Sequence, residues 1–196
     1  LFKTMLDRIC NIGKFYPANQ LGFYTKSRQF QRMASENLSN AIGTVAFPVY
    51  SKLQDNYERL RNAMKKFLQH SMFFLVPILL GLIVLAKPFV ILLLKEKWAP
   101  MIPYLQLLCI VGILYPLIMV NAQSIMAMGK SKLGFKLNLL KNGLRVVNIA
   151  ITIHYGIIYV IMGEIILSFI SLTVMAWFNF KYVNYGILQQ MKDVWL

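Results

Sequence analysis

Residues 67–94 read FLQHSMFFLVPILLGLIVLAKPFVILLL, in which Lys87 is the only Asp, Glu, Lys or Arg. A helix rises about 1.5 Å per residue, so about 20 apolar residues cross the roughly 30 Å hydrocarbon core of a bilayer. A run this long and this apolar has no polar face to turn toward water, and it predicts a transmembrane helix. Three more stretches repeat the pattern at 101–128, 137–153 and 157–180. Together they predict an all-α, polytopic transmembrane helix bundle. Pro77 and Pro88 interrupt the first stretch and Pro116 the second. Each proline removes a backbone donor, and in lipid the freed carbonyl needs a neighbouring helix to satisfy it. That favours a bundle over isolated anchors. Pro88 is expected to end its span near Lys87 and to open a short interfacial helix over 89–94. His154, Tyr155 and Gly156 form the tight turn between the last two spans.

The composition agrees. Of 196 residues, 58% are hydrophobic and 14% charged, against about 45–50% and about 25% in soluble domains. The formal net charge of +14 would suggest nucleic acid in a soluble chain. Here 67–86, 98–129 and 146–163 hold no Asp, Glu, Lys or Arg, and the basic residues gather between them. That distribution reads as topology charge, and no nucleic-acid partner is expected. Cys10 and Cys109 show no metal or redox spacing and read as packing residues. Leu1 opens inside a helical pattern without an initiator Met or signal peptide, and Trp195 and Leu196 read as the approach to another element. The sequence is therefore expected to be a fragment, residues 1–196 of a single transmembrane domain, with 1–15 the partial tail of a further span.

Residues 23–53 have helical spacing but carry Lys26, Arg28, Arg32 and Glu36 in the first half and Pro48 late. Hydropathy alone makes this a surface helix. Charge asymmetry makes it a span. Lys52, Arg59, Arg61, Lys65 and Lys66 lie between two spans; Lys130, Lys132 and Lys136 lie in the next segment on that side, and Lys181 and Lys192 follow the last span. The opposite side has only Lys95 and Lys97, with none at 154–156 or 17–22. Cytoplasmic segments hold the excess of Lys and Arg, and the alternation closes only if 23–53 crosses.

Two helices carry polar faces at bilayer depth. Ser131, Gly134, Asn138, Lys141, Arg145, Asn148 and Thr152 recur at steps of three and four, which places them on one face. A Lys or Arg near a helix centre is unfavourable by about 2.5–3.5 kcal/mol on insertion scales. Two on one stripe indicate a wet cavity or an anionic partner, with snorkelling to the interface the competing reading for both. On 23–53, Arg32 and Glu36 are four apart and suited to pair, which leaves Arg28 as the freer cation, for a cavity or for the interface. Glu164 is a lone acid in the last span. By residue count Lys87 lies at similar depth, so a structural ion pair with Lys87 and a coupling carboxylate are both open.

No enzyme constellation is visible. His70 and His154 fall at opposite membrane faces and cannot share a metal, and no GxSxG, P-loop or HExxH string occurs. No cofactor is expected. Tyr104, Trp98, Tyr155 and Tyr182 near span ends fit an aromatic belt.

The strings LGFYTKSRQFQ, FPVYSKLQDNYERLRNAMKK, LLLKEKWAPMIPYLQLL, LYPLIMVNAQSIMAMGKSKLGFKL and the terminal NYGI together resemble one family. It is the polysaccharide-transport branch of the multidrug/oligosaccharidyl-lipid/polysaccharide exporter superfamily, the Wzx-like lipopolysaccharide and O-antigen flippases. The resemblance runs from about residue 13 to residue 187. It implies most of a C-terminal bundle, from the end of the seventh helix through the twelfth, whose partner N-terminal bundle is absent from this sequence. It implies a multi-pass protein of the bacterial inner membrane that flips undecaprenyl-diphosphate-linked oligosaccharide from the cytoplasmic to the periplasmic leaflet by alternating access. Membrane lipids are the other expected partner. On this reading Arg145, Lys141, Arg28, Asn138 and Asn148 line the cavity and meet the diphosphate. Relatives often carry an acid and a base where this chain has Asn138 and Asn142, so a coupling role is not carried over to Asn138. The alternatives are a drug/cation antiporter of the same superfamily, which needs exposed cavity acids, and a polytopic glycan polymerase or ligase, which needs a sizeable outer catalytic loop.

Single cysteines replacing Arg61 and Tyr155 are expected to label with an impermeant maleimide from opposite sides of the membrane. Labelling of both from one side would overturn the topology.

Overall fold

The computed structural model describes residues 17–152 and 154–195, so the expected partial span over 1–15 lies outside it. Among the described residues the regular structure is entirely helical. The elements are α1 (Ala18–Lys52), α2 (Tyr57–Val84), α3 (Ala86–Leu94), a 3-10 segment (Glu96–Met101), α4 (Ile102–Ala127), α5 (Ser131–Thr152), α6 (Ile157–Val183) and α7 (Ile187–Trp195).

Local chemistry sets these limits. Asn56 caps α2, its side-chain oxygen accepting from the Arg59 N–H at 3.0 Å. Asn184 takes a left-handed conformation with φ 55 and stops α6, its N–H bonding to the Phe180 carbonyl at 3.0 Å. Gly156, at φ 122, supplies the backbone turn from α5 into α6 that a side-chain-bearing residue rarely adopts. Pro48, Pro77 and Pro116 lie inside helices. Pro88 does not break the chain where the sequence suggested. The break falls at Leu85, and Pro88 sits in the first turn of α3, where a helix needs no N–H from it. Helix α5 begins at Ser131 rather than 137, so Lys132 and Lys136 are already helical.

Among the described residues three segments are long and apolar enough to cross a membrane: Tyr57–Val84, Glu96–Ala127 and Ile157–Val183. Their outward faces are bare hydrocarbon, with Phe73 at 74% and Leu92 of the adjoining α3 at 86% exposure. With the membrane-protein relatives described below, this is an all-α membrane helix bundle.

Helix α4 is central and packs against α1, α2, α5 and α6. Its contact with α1 is close because α1 presents Ser27, Gln31, Ser35, Ser39 and Gly43, one every turn, and all five are buried. A Cβ on Gly112 of α4 would meet Gln31 Nε2 and Leu79 Cδ1 at 3.1 Å, and one on Gly43 would meet Gln123 Nε2 at 2.5 Å. Small residues at such seams let backbones approach where lipid supplies no hydrophobic drive. Ser27 and Ser35 find partners, the Ser27 hydroxyl 2.8 Å from the Phe23 carbonyl and 3.2 Å from that of Met101 and the Ser35 hydroxyl 2.9 Å from the Gln31 carbonyl, whereas the buried Ser39 hydroxyl has no hydrogen-bond partner among the described residues.

Two apolar clusters mark the ends of the bundle. Tyr50, Leu60, Ala127, Val183 and Tyr185 share one core, which gathers the α1–α2 turn and the ends of α4 and α6. Val90 and Met101 share another with Phe23 and Trp98 against it, so the start of α1 lies beside α3 and the 3-10 segment. Consecutive long helices thus run in alternating directions, and Lys52, Lys130 and Lys181 fall toward one end.

At the first of these ends a polar knot fastens α7. The Asn121 and Gln190 side-chain amides exchange hydrogen bonds of 2.7 and 2.9 Å. Asn179 Nδ2 donates to Asn121 Oδ1 at 2.8 Å, and Ser124 Oγ donates to Asn179 Oδ1 at 2.6 Å. All four residues are fully buried. Asp193 accepts from Tyr185 OH at 3.1 Å and pairs with Lys65 Nζ at 2.6 Å. Burial, with Asp193 beside it, holds the Tyr185 phenol protonated well above its usual range.

Replacing Asn179 with Leu should remove one of the two acceptors of Ser124 and one of the two donors to Asn121 Oδ1, lowering stability by about 1–2 kcal/mol. Thr173→Val, at an exposed site on the same helix, should leave it unchanged. Thermal unfolding of both variants in detergent checks the contrast.

Candidate functional site: a charged cluster between three helices

The α5–α6 hairpin sets the geometry. Arg145 lies seven residues before the end of α5 and Glu164 seven residues after the start of α6, so antiparallel packing brings them to one level. Asn148 Nδ2 reaches the Val160 carbonyl at 3.3 Å. A Cβ at Gly163 would collide with the Asn148 side chain, so the glycine lets this seam close. Lys141, Arg145, Asn148 and Thr152 are all half-buried along the seam, while Leu139, Leu140, Val146 and Val147 are exposed on the outer surface. The polar stripe of α5 therefore faces the bundle. Asn138 departs from it: its side chain is exposed.

Helix α1 supplies the opposing charge. Arg28 is buried and grips Glu164 with both arms of its guanidinium, Nη1 to Oε2 at 2.5 Å and Nη2 to Oε1 at 2.8 Å. Its Nη1 also donates to Tyr24 OH at 2.8 Å. Arg145 Nη2 approaches Glu164 Oε1 to 3.9 Å. One carboxylate thus stands between two guanidiniums from different helices. One turn along α1, Arg32 Nε bonds Glu36 Oε2 at 2.7 Å. Tyr115 of α4 donates to Asn40 at 3.3 Å and lies within electrostatic reach of Glu36, Arg32 and Arg145. Three arginines against two glutamates leave the cluster with one net positive charge, and Lys141, one turn from Arg145, adds another.

Two expectations change. Arg28 is not the freer cation of its helix; it is the more deeply buried arginine and is bound to Glu164. Lys87 is exposed on α3, which packs on α2, α4 and the 3-10 segment, and Arg28 takes the place at Glu164 that residue count offered to Lys87. Counting residues fixes depth along a helix but not the direction in which a side chain points. The mirror spacing of Arg145 and Glu164 about the 154–156 turn was the signal in the sequence that could have paired α5 with α6. Nothing local in the sequence announces the Arg28 partner. His70 and His154 are both exposed, and among the described residues no group of three His, Cys, Asp or Glu could hold a metal.

Helices α5 and α6 also enclose a groove toward the end of the bundle that carries Lys130 and Lys181. Lys141, Leu144, Leu167, Ile170, Ser171 and Val174 are among the residues lining it. A cationic head on an apolar groove is chemistry suited to an amphiphilic anion.

The profile of the polysaccharide biosynthesis protein family matches residues 2–103, just over half of the chain. An uncharacterized membrane protein from the cps region of Klebsiella pneumoniae is 34% identical over 150 residues, covering 71% of this chain and 31% of that protein. The lipopolysaccharide biosynthesis protein WzxC of Escherichia coli (strain K12) is 32% identical over 168 residues, 85% of this chain and 34% of that protein. The teichuronic acid biosynthesis protein TuaB of Bacillus subtilis (strain 168) is 29% identical over 124 residues, 63% and 26% respectively. The aligned region spans about a third or less of each of these relatives. No solved structure matches the chain. Its helices, its apolar surface and these matches agree: the chain belongs to the polysaccharide biosynthesis protein family, in the Wzx-like transport branch that its sequence resembles.

Proposed function

We propose that the chain is part of a flippase of the bacterial inner membrane, a transporter rather than an enzyme. It moves undecaprenyl-diphosphate-linked oligosaccharide from the cytoplasmic to the periplasmic leaflet by alternating access, in lipopolysaccharide or related polysaccharide synthesis. The observation that carries this reading is the half-buried stripe of Lys141 and Arg145 on α5, turned toward the bundle with a net positive cluster behind it. Cations at bilayer depth are unfavourable unless a cavity or an anion accommodates them, and guanidinium forks match phosphate oxygens in geometry and charge. Asn148 lies on the same face and Asn138 at its exposed margin, where polar groups can meet the ligand's hydrophilic part. Arg28 contributes through Glu164.

The drug/cation antiporter reading is weaker. It asks for carboxylates facing the cavity, and the two acids of this cluster, Glu36 and Glu164, are each bonded to an arginine. A glycan polymerase or ligase is weaker still, because the connections on the expected periplasmic side, around 95–101 and 154–156, are short.

Arg145→Ala in the full-length protein should lower glycan export by about tenfold or more with membrane abundance near that of the parent, and Arg145→Lys should retain an intermediate rate if a point charge suffices. Export unchanged by Arg145→Ala would remove the diphosphate site.

A further inference from the structure

The two arginines at Glu164 are held unequally. Arg28 has two hydrogen bonds to the carboxylate, at 2.5 and 2.8 Å, and a third to Tyr24 at 2.8 Å, and it is buried. Arg145 stands 3.9 Å from the same carboxylate, beyond hydrogen-bond distance, with its side chain 24% exposed. The first contact is a fixed joint. The second is an ion pair longer than a hydrogen bond, on a side chain that retains access to the seam.

A carboxylate and a phosphate present similar oxygen pairs to a guanidinium, so each can take the place of the other at an arginine fork. We propose that Glu164 is a built-in competitor for Arg145: it partly neutralises that guanidinium in the empty site and yields it to the diphosphate of the lipid-linked ligand, while remaining tied to Arg28. The inference rests on the diphosphate reading of Lys141 and Arg145 above and adds how that site releases its ligand. Ligand capture is then an exchange of anions around Arg145 rather than a simple addition. The approach of the diphosphate draws Arg145 away from Glu164. When the ligand departs, the carboxylate restores the resting pair and opposes rebinding. Arg28 keeps Glu164 charged and in place throughout, because an ion left alone at this depth is strongly unfavourable. A purely structural role for Glu164 predicts the opposite effect of its removal, since Arg145 would lose the group that positions it.

The test is the affinity of the purified full-length protein for undecaprenyl diphosphate, with Glu164→Gln, Glu164→Asp and Arg145→Ala beside the parent. Glu164→Gln keeps the shape and removes the charge; it should bind about tenfold more tightly, release more slowly and export less. Glu164→Asp keeps the charge and draws the carboxylate back from Arg145; it should bind with intermediate tightness, and it carries the test alone if the Gln variant does not fold. Affinity equal to or weaker than that of the parent in a folded Gln or Asp variant overturns the competitor role. Arg145→Ala separates the two readings. If it loses binding while neither Glu164 variant tightens it, only the competitor role fails; if it binds like the parent, the diphosphate site itself fails.

Discussion

A guanidinium and a carboxylate 136 residues apart in the chain meet inside a hydrocarbon bundle, and neither is tolerable there without the other. A charge buried singly at this depth loses several kcal/mol of hydration, and removing one partner of such a pair is unfavourable by about 3–5 kcal/mol because the other remains. Arg28 on α1 and Glu164 on α6 therefore define one register between those helices. A slide of α1 by a turn would leave Glu164 without its fork and Arg28 in apolar surroundings. That constraint governs the rest of α1. Once Arg28 is placed, the seam residues follow in register, and Ser35 and Gly43 meet α4 at positions where their small size is needed.

Lipid removes the usual reason for helices to associate, since a leucine surface is as well solvated by acyl chains as by another leucine. What remains is close packing and polar contact. The chain uses both, at different levels. Gly112 and Gly43 bring α1 and α4 into close contact along their length. The Asn121, Asn179, Gln190 and Ser124 knot fastens α4, α6 and α7 at one end. The charged cluster joins α1, α5 and α6 nearer the other end, within the first turns of α6. Of the long helices α5 has the least apolar burial: Gly134 is its one buried residue, and beside the polar stripe Leu137 and Ile149 are half-buried against the apolar cores. The element that carries Lys141 and Arg145 is thus the long helix with the weakest hydrophobic attachment.

The sequence made the helices legible because the membrane enforces a length and forbids charge on the lipid-facing surface. Residues 101–128 and 157–180 became α4 and α6 with shifts of three residues or fewer, and the turn at 154–156 held. Helix α1 was legible from its helical spacing. The stripe on α5 was legible as periodicity. What could not be read was azimuth between helices. Lys87 and Arg28 were both cations at plausible depth for Glu164, and only packing around α4 selects Arg28. The amide knot was unreadable for a similar reason: Asn121, Asn179 and Gln190 each stand alone in apolar or mixed sequence, and their meeting depends on how three helices converge. The early break at Leu85 reflects a different principle, that a proline marks a helix start as readily as a helix end.

The family profile covers only the α1 side of the charged site, with Arg28, Arg32 and Glu36. The profile ends at residue 103, before α5 and α6 begin, whereas Arg145 and Glu164 lie beyond it. The likeness to WzxC extends over 168 residues and so necessarily continues past that limit. Membership thus rests on stretches that include the charged residues, while the chemistry is argued from their geometry. The two lines of argument meet on electrostatics. A transporter of a polyanionic headgroup must bind it in one orientation and release it in another, and a seam of unopposed cations would serve the first step at the expense of the second. A cluster of three arginines tempered by two glutamates, one of them fixed by a buried fork, keeps the field attractive while limiting its strength. On the proposed reading, the same carboxylate that makes Arg28 tolerable in lipid moderates the pull of Arg145 on an anion, so that folding and transport would place a single demand on Glu164.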